Sequence, residues 1–225
     1  MIKRVDFRLL SAETKKELFR AMGLQENDLE WLKANGNPNA TIEFFDNRIV
    51  TREQQKKAHV LIGAVAEWAG YTPVEAEKAI LKHDFISSMV TDTNEGFSLS
   101  NCTVETAREF ISWLIDFCLS NGVPCREPMY KLADDSYKYT WACAMNQKCC
   151  VCGQKTELHH VDAVGMGRNR KEICHLGMRV LPLCEKHHRE IHRIGRESFL
   201  ERYHLEPVVV DGKIADKYKL RRNKK

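Results

Sequence analysis

The sequence lacks long apolar runs, a signal peptide and repeats, and each of these absences excludes one class of protein. No stretch of its 225 residues approaches the roughly 18 consecutive apolar residues of a membrane helix. The opening MIKRVDFRLL is too polar for a secretion signal, and no internal repeat predicts a solenoid. We therefore expect a soluble, cytoplasmic protein without a membrane partner, long enough for one large or two small domains.

The nine cysteines would suggest disulfides in a secreted protein. Because no export signal is present, we expect the reducing cytosol, where cysteines stay as thiols or bind metals. Five of the nine cysteines and six of the nine histidines lie between positions 149 and 192, and most of these are in the segments CCVCGQKTELHH and VLPLCEKHHREIH. This density is too high for ordinary core packing and indicates metal binding.

One predicted metal site contains cysteines. The pairs Cys149-x2-Cys152 and Cys184-x2-His187 have the ligand types and spacing of a closed tetrahedral zinc site. Cys150 is an alternative ligand to Cys149, although its spacing to Cys152 is a poor one for chelation.

A second predicted metal site contains histidines. His188 and His192 are four residues apart in a segment suited to a helix, so both imidazoles project from one face and can bind one metal. His159 and His160 are adjacent in a predicted strand, where neighbouring side chains point to opposite faces. One of them is therefore expected to bind metal and the other to face substrate.

If zinc holds the two cysteine pairs together, the hairpin that carries His159 and His160 is brought against this helix, which gives a strand-strand-helix metal site. This site resembles that of the HNH endonucleases, in the version with a zinc-stapled finger. ELHH resembles the first histidine pair of that family, and HHREIH resembles its closing helix. The resemblance implies that His160 is the general base. It also implies that the catalytic metal is bound by His159, His188 and His192, and the structural zinc by Cys149, Cys152, Cys184 and His187.

One position departs from that family. Arg179 stands five residues before Cys184, where HNH nucleases usually have an Asn that orders the loop and holds the base histidine. Arg has no hydrogen-bond acceptor, so it cannot replace the Asn carbonyl, but it can contact phosphate. The holding role can then fall to Asn169 or to a backbone carbonyl. Cys174 and His175 lie between the cysteine pairs, either as accessory ligands or as ordinary loop residues.

The predicted chemistry determines the predicted cofactors. Phosphodiester hydrolysis needs a nucleophilic water, charge stabilisation at the phosphate and a stabilised leaving oxygen. A neutral histidine accepts the proton of water near pH 7, which is the role implied for His160. Three neutral imidazoles favour Mn, Co, Ni or Zn by affinity, whereas cellular abundance favours Mg. We expect one such divalent metal beside a structural zinc.

Positive charge is concentrated in the second half of the chain. Residues 1–125 carry 14 Lys and Arg against 18 Asp and Glu, whereas residues 126–225 carry 21 against 13. Basic side chains beside the metal sites are therefore predicted to bind DNA phosphates. These are Arg168, Arg170, Lys171, Arg179 and Arg189. The basic tail at 207–225 is either a further contact or simply solvated.

The first half is predicted to be a compact α+β unit. Thr51 and Gln54 fit a capping box at the start of a helix, and the segment GFSLS at 96–100 suggests a strand. Apolar residues at helical spacing predict a long amphipathic helix that ends at Asn121-Gly122.

The order of these elements resembles a second family, the Orf (NinB) recombination mediators of lambdoid phages, which bind single-stranded DNA. The resemblance covers residues 1–124 and includes the spaced residues Arg48, Thr51, Gln54 and Lys56. It implies a host single-strand-binding protein or recombinase as partner, and a homodimer. Predicted DNA contacts are Arg48, Arg52, Lys56 and Lys57, unless they form only a solvent-facing helix surface.

The predicted fold is α+β, with a mixed helix and strand DNA-binding domain at 1–124. A linker and lead-in helix at 125–145 connect it to a ββα-metal (HNH) zinc-stapled finger at 146–206. The predicted function is metal-dependent DNA cleavage in phage recombination, directed to single-stranded or branched DNA in the cytoplasm of an infected or lysogenic bacterial host. Two alternatives stay open: a non-catalytic mediator, and a sequence-specific homing or restriction nuclease, for which the chain shows no obvious major-groove reader.

Overall fold

The computed structural model of the chain describes residues 48–70, 73–89, 96–161 and 174–221. Contacts divide the chain into two units, Met1–Arg48 and Ile49–Lys225, and the elements below belong to the second. Residues 1–47, the first part of the Orf-like resemblance, lie outside the described residues. Across the described ranges, no helix combines the length and apolarity needed to cross a membrane.

Three helices form the first part of the second unit: α1 (Arg52–Trp68), α2 (Val74–Ser88) and α3 (Val104–Asn121). The predicted capping box is confirmed at α1. The Thr51 side chain accepts from the Gln54 backbone N–H at 3.1 Å, and the Gln54 side-chain oxygen accepts from the Thr51 N–H at 3.1 Å. The predicted end of α3 is also confirmed, because Gly122 has φ +68°, a left-handed conformation that glycine adopts without steric cost.

The predicted strand at 96–100 is wrong. These residues are irregular and end in a turn, although Leu99 is buried. The Cys102 N–H donates to the Ser98 carbonyl, and the Ser98 hydroxyl accepts from the Ser100 N–H. Serine side chains compete in this way for backbone groups that a strand would need.

One hydrophobic core extends through the second unit. Leu61 of α1 and Phe110 of α3 are fully buried in it, and the Phe110 ring lies 5.2 Å from that of Phe85. The same core continues through Tyr139 to Phe199, on the other side of position 124. The described residues on both sides of the expected boundary thus share a core, and a functional division at residue 124 stays a prediction.

The second part of this unit contains the remaining elements. They are α4 (Met129–Leu132), α5 (Ser136–Met145), β1 (Glu157–His160), β2 (Arg179–Leu183), α6 (Glu185–Ile194), α7 (Arg196–Tyr203), β3 (Val208–Val209) and α8 (Gly212–Lys217). The strands form an antiparallel sheet in the order β1-β2-β3. Helices with a small antiparallel sheet confirm the α+β class.

The C-terminal segment differs from the predicted basic tail. Within its described part, residues 207–221, β3 pairs with β2 and α8 packs against α5. Val208, Val210 and Ile214 are buried in a small second core with Val180 of β2. These buried apolar side chains pack the segment against β2.

Candidate metal centre

The first cysteine pair lies on a tight turn held against β2. The Cys149 N–H donates to the Gln154 carbonyl, and the Gly153 N–H donates back to the Cys149 carbonyl. Gly153 has φ +70°, which glycine tolerates and which closes this turn. The Cys150 N–H donates to the Pro182 carbonyl of β2 at 3.0 Å. The turn therefore lies next to the end of β2, where Cys184 begins α6.

Four side chains form what we call the cysteine cluster: Cys149, Cys152, Cys184 and His187. Their ligand atoms all lie within 4.8 Å of one another. His187 Nδ1 is 3.2 Å from Cys184 Sγ and 3.5 Å from Cys149 Sγ, and the Sγ atoms of Cys152 and Cys184 are 3.6 Å apart. A tetrahedral zinc with Zn–S of about 2.3 Å and Zn–N of about 2.0–2.1 Å separates its ligand atoms by roughly 3.5–3.8 Å. The cluster can therefore hold a structural zinc.

The protonation of the cluster also fits a cation. Burial raises the pKa of the Cys149 thiol to about 12 and raises that of Cys152, so these thiolates need a positive partner. Burial works against the Cys184 thiolate too, but hydrogen bonds from the backbone N–H groups of His187 and Lys186 help to lower its pKa. Burial lowers the pKa of His187, which favours the neutral imidazole that binds metal.

Cys150 lies outside the cysteine cluster. It is fully buried, and burial raises the pKa of its thiol well above the ordinary value. Its carbonyl accepts from the Tyr139 hydroxyl at 2.9 Å. The structure thus brings Cys149, and not Cys150, to the other three ligand atoms.

The histidine cluster consists of His159, His188 and His192, whose ligand atoms also lie within 4.8 Å of one another. The His159 ring centroid is 4.7 Å from that of His188 and 5.0 Å from that of His192, and the two helical rings are 5.0 Å apart. His159 is buried on β1, whereas His192 is exposed on α6. Three ligands on one side of a metal leave positions for water and substrate, as in catalytic sites.

His160 lies in the same strand as His159, and strand alternation places it on the other face. It is half-buried, and its Nε2 is 2.9 Å from Nδ1 of His175. His175 is buried, with 6 % of its surface exposed. Sequence reasoning considered His175 only as a metal ligand or loop residue, and no spacing signal relates positions 160 and 175.

Arg179 is exposed at the start of β2. The Val161 N–H donates to the Arg179 carbonyl at 2.9 Å, and the register pairs His159 with Leu181. Because opposed residues of an antiparallel pair share a face, Arg179 lies on the same face of the sheet as His159. The register thus places Arg179 two residues along β2 from Leu181, the residue opposite His159.

The other predicted DNA contacts have different surroundings. Arg189 is exposed on α6 and pairs with Glu185 one turn earlier. Lys57 is only 15 % exposed and donates to Asp134 at 3.1 Å, which limits its availability to DNA. Arg48, Arg52 and Lys56 are exposed at or near the start of α1. Arg168, Arg170 and Lys171 lie outside the described residues, as does Asn169.

The fold and the two clusters define a class: an α+β protein whose strand-strand-helix unit carries two groups of side chains that could hold metal ions. The family described as "Putative HNHc nuclease" matches residues 21–221, so the chain belongs to this HNH nuclease family. No curated protein matches the chain, and no solved structure matches it either. The family match covers much of the N-terminal half as well as the finger. The Orf resemblance is not shown by it and stays a prediction.

Proposed function

We propose that this protein is a metal-dependent endonuclease that hydrolyses phosphodiester bonds in DNA. The observation that carries the proposal is the histidine cluster, which offers three imidazole ligands and is accessible to solvent at His192. A separate cysteine cluster on the same helix offers four ligands, three cysteines and one histidine. Membership of an HNH nuclease family supports it. Zinc in the cysteine cluster would fix the turn, β2 and α6, and thereby hold His159 opposite His188 and His192.

Each residue has a role in this proposal. His159, His188 and His192 hold a divalent metal, which when bound supplies a Lewis acid for the phosphate and the leaving oxygen. His160 accepts the proton of the attacking water. Arg179, at the start of β2 and opposite the residue that follows His160, binds a phosphate oxygen, since a guanidinium is suited to phosphate. Arg189 adds a phosphate contact from the outer surface of α6.

Nicking of supercoiled plasmid by the zinc-loaded protein tests the activity. The reaction is run with Mg, Mn, Co or Ni, or with EDTA at a concentration that leaves the zinc in place, as verified by metal analysis. We expect cleavage that needs a divalent metal and is lost in His160→Ala. His83→Ala is a matched control, because His83 is an exposed histidine on α2. Binding of DNA without nicking under any metal would instead support a non-catalytic mediator.

The proposed substrate is single-stranded or branched DNA. This finer proposal rests on the resemblance of residues 1–124 to the Orf mediators, and the exposed basic residues Arg52 and Lys56 support it. In phage recombination, such a module would direct the nuclease to recombining DNA, with a host single-strand-binding protein or recombinase as partner and a homodimer as the assembly.

Competition between DNA forms tests this finer proposal. We expect single-stranded and four-way branched DNA to be cleaved faster than a linear duplex of the same sequence, and Arg52→Ala with Lys56→Ala to reduce this preference. Equal cleavage of all three forms would remove the directed-substrate part and leave the nuclease proposal intact. Cleavage at one discrete duplex site would favour a sequence-specific nuclease.

A further inference from the structure

The pairing of His160 with His175 is not explained by either metal cluster. Their facing nitrogens, Nε2 of His160 and Nδ1 of His175, are 2.9 Å apart, and their ring planes are inclined by 48°. This is a normal hydrogen-bond distance between two ring nitrogens. Neither residue belongs to the groups of ligand atoms that meet in the described residues.

His175 is held firmly enough to orient a neighbour. Its backbone N–H donates to the Arg221 carbonyl at 3.0 Å, and its carbonyl accepts from the Met178 N–H at 3.1 Å. The following turn is tied to the C-terminal segment, since the Gly177 N–H donates to the Val210 carbonyl. Hydrogen bonds to Val210 and Arg221 of the C-terminal segment therefore fix the position of His175 beside β1.

The hydrogen bond has two possible directions with different chemical results. A neutral imidazole has one N–H donor and one acceptor nitrogen, so one ring must donate and the other accept. If His160 Nε2–H donates, its Nδ1 has no proton and can accept one. If His175 donates, the proton of neutral His160 sits on Nδ1, and Nε2 is occupied by the hydrogen bond. Only the first direction leaves His160 able to act as a base.

We infer that His175 is a positioning residue that accepts a hydrogen bond from His160 Nε2–H and so fixes the tautomer and the ring orientation of His160. This inference rests on the proposed function, because it assumes that His160 is the base. Arg179 cannot provide this acceptor, since a guanidinium has only donors. The hydrogen bond that one ring nitrogen makes determines whether the other ring nitrogen carries a proton.

Nuclear magnetic resonance tests the inference without any cleavage assay. Long-range proton–nitrogen spectra of the zinc-loaded protein with labelled histidine distinguish the two tautomers, and His160→Gln identifies the signals of His160. We expect His160 protonated at Nε2 in the parent protein and a mixture of tautomers in His175→Ala. A proton fixed on Nδ1 of His160, or an unchanged tautomer in His175→Ala, would overturn the inference.

Kinetics with two substitutions at the same position give a second test. We expect His175→Ala to lower kcat for nicking by about 10- to 100-fold, as for other residues that orient a catalytic group, with little change in KM. His175→Asn should recover most of the rate, because Asn Oδ1 occupies about the place of Nδ1 and accepts a hydrogen bond. Equal loss in Ala and Asn variants would contradict the inference.

The outcomes separate this inference from the proposed nuclease. If the parent protein nicks DNA but the tautomer of His160 does not depend on His175, the positioning role fails and the nuclease stands. If no form nicks DNA but the tautomer changes in His175→Ala, the hydrogen bond is supported and the nuclease fails. If His175→Ala loses bound divalent metal from the histidine cluster, His175 is an accessory ligand and the inference is overturned.

Discussion

The two clusters share the helix α6 but differ in the environment they give a metal. The cysteine cluster has four ligands, and three of them are buried, whereas the histidine cluster has three ligands and ends at the exposed His192. His187 and His188 are adjacent, and successive residues of a helix are separated by about 100° around its axis. One short helix thus serves a closed site on one side and an open site on another. The comparison suggests that the buried cysteine cluster stabilises the fold and that the exposed histidine cluster takes part in chemistry.

The largest effect is expected from loss of a ligand in the cysteine cluster. Cys149→Ala should prevent folding of the finger and reduce bound zinc from one per chain to none, because structural zinc contributes roughly 10–16 kcal/mol in zinc-finger peptides. Metal analysis and thermal unfolding measure this. A variant that keeps one zinc and the parent unfolding temperature would break the proposed distinction between the clusters.

A smaller change in stability and a large change in activity are expected at the open cluster. His192→Ala should reduce nicking by roughly 100-fold or more, since even residues that only orient a metal ligand cost 10- to 100-fold. Its unfolding free energy should change by less than about 0.5 kcal/mol, because His192 is exposed. Unfolding of the finger in this variant would show that both clusters are structural.

A substitution at Cys150, which is adjacent to the proposed zinc ligand Cys149, tests which cysteine holds the metal. Cys150→Ala should keep one zinc per chain and the parent nicking rate, and lose about 1 to 1.5 kcal/mol of unfolding free energy, because it removes one buried atom from a packed core. Zinc stoichiometry and denaturant unfolding measure both effects, with Cys149→Ala as the matched comparison. Loss of zinc from Cys150→Ala would mean that Cys150, and not Cys149, is the zinc ligand.

The smallest effect is expected at the cap of α1, where Thr51 belongs to neither cluster. Thr51→Ala should cost roughly 0.5–1 kcal/mol of unfolding free energy through loss of the capping box, with zinc content and DNA affinity unchanged. Ser87→Ala, at an exposed position of α2, is the control for an ordinary surface change. Reduced DNA affinity at unchanged stability would mean that Thr51 acts in binding and not only as a helix cap.

Part of the Orf-like spacing now has a structural explanation in this chain. Thr51 and Gln54 form the capping box, and the Gln54 amide also donates to the Val104 carbonyl at 3.0 Å and to Asp134 at 2.7 Å. Gln54 is buried, so it is unavailable for nucleic acid. The exposed members, Arg48 and Lys56, are the ones that a binding role still requires.

Features that depend on short-range spacing could be predicted from the amino-acid sequence. Helix periodicity, the Thr51 cap and the Gly122 end are local consequences of side-chain pattern and backbone preference. The zinc-type ligand pairs are also local, because residues three apart on a turn or at a helix start come close whatever the rest of the chain does.

Contacts between segments that are distant in the sequence could not be predicted in this way. The pairing of His160 with His175, the packing of Val208 and Ile214 against Val180, and the core shared across position 124 depend on which surfaces meet. Such contacts leave no periodic signal, and a serine-rich turn can replace a strand that composition favours, as at residues 96–100. Spacing predicted the candidate ligands, but packing determined which histidine side chains lie together.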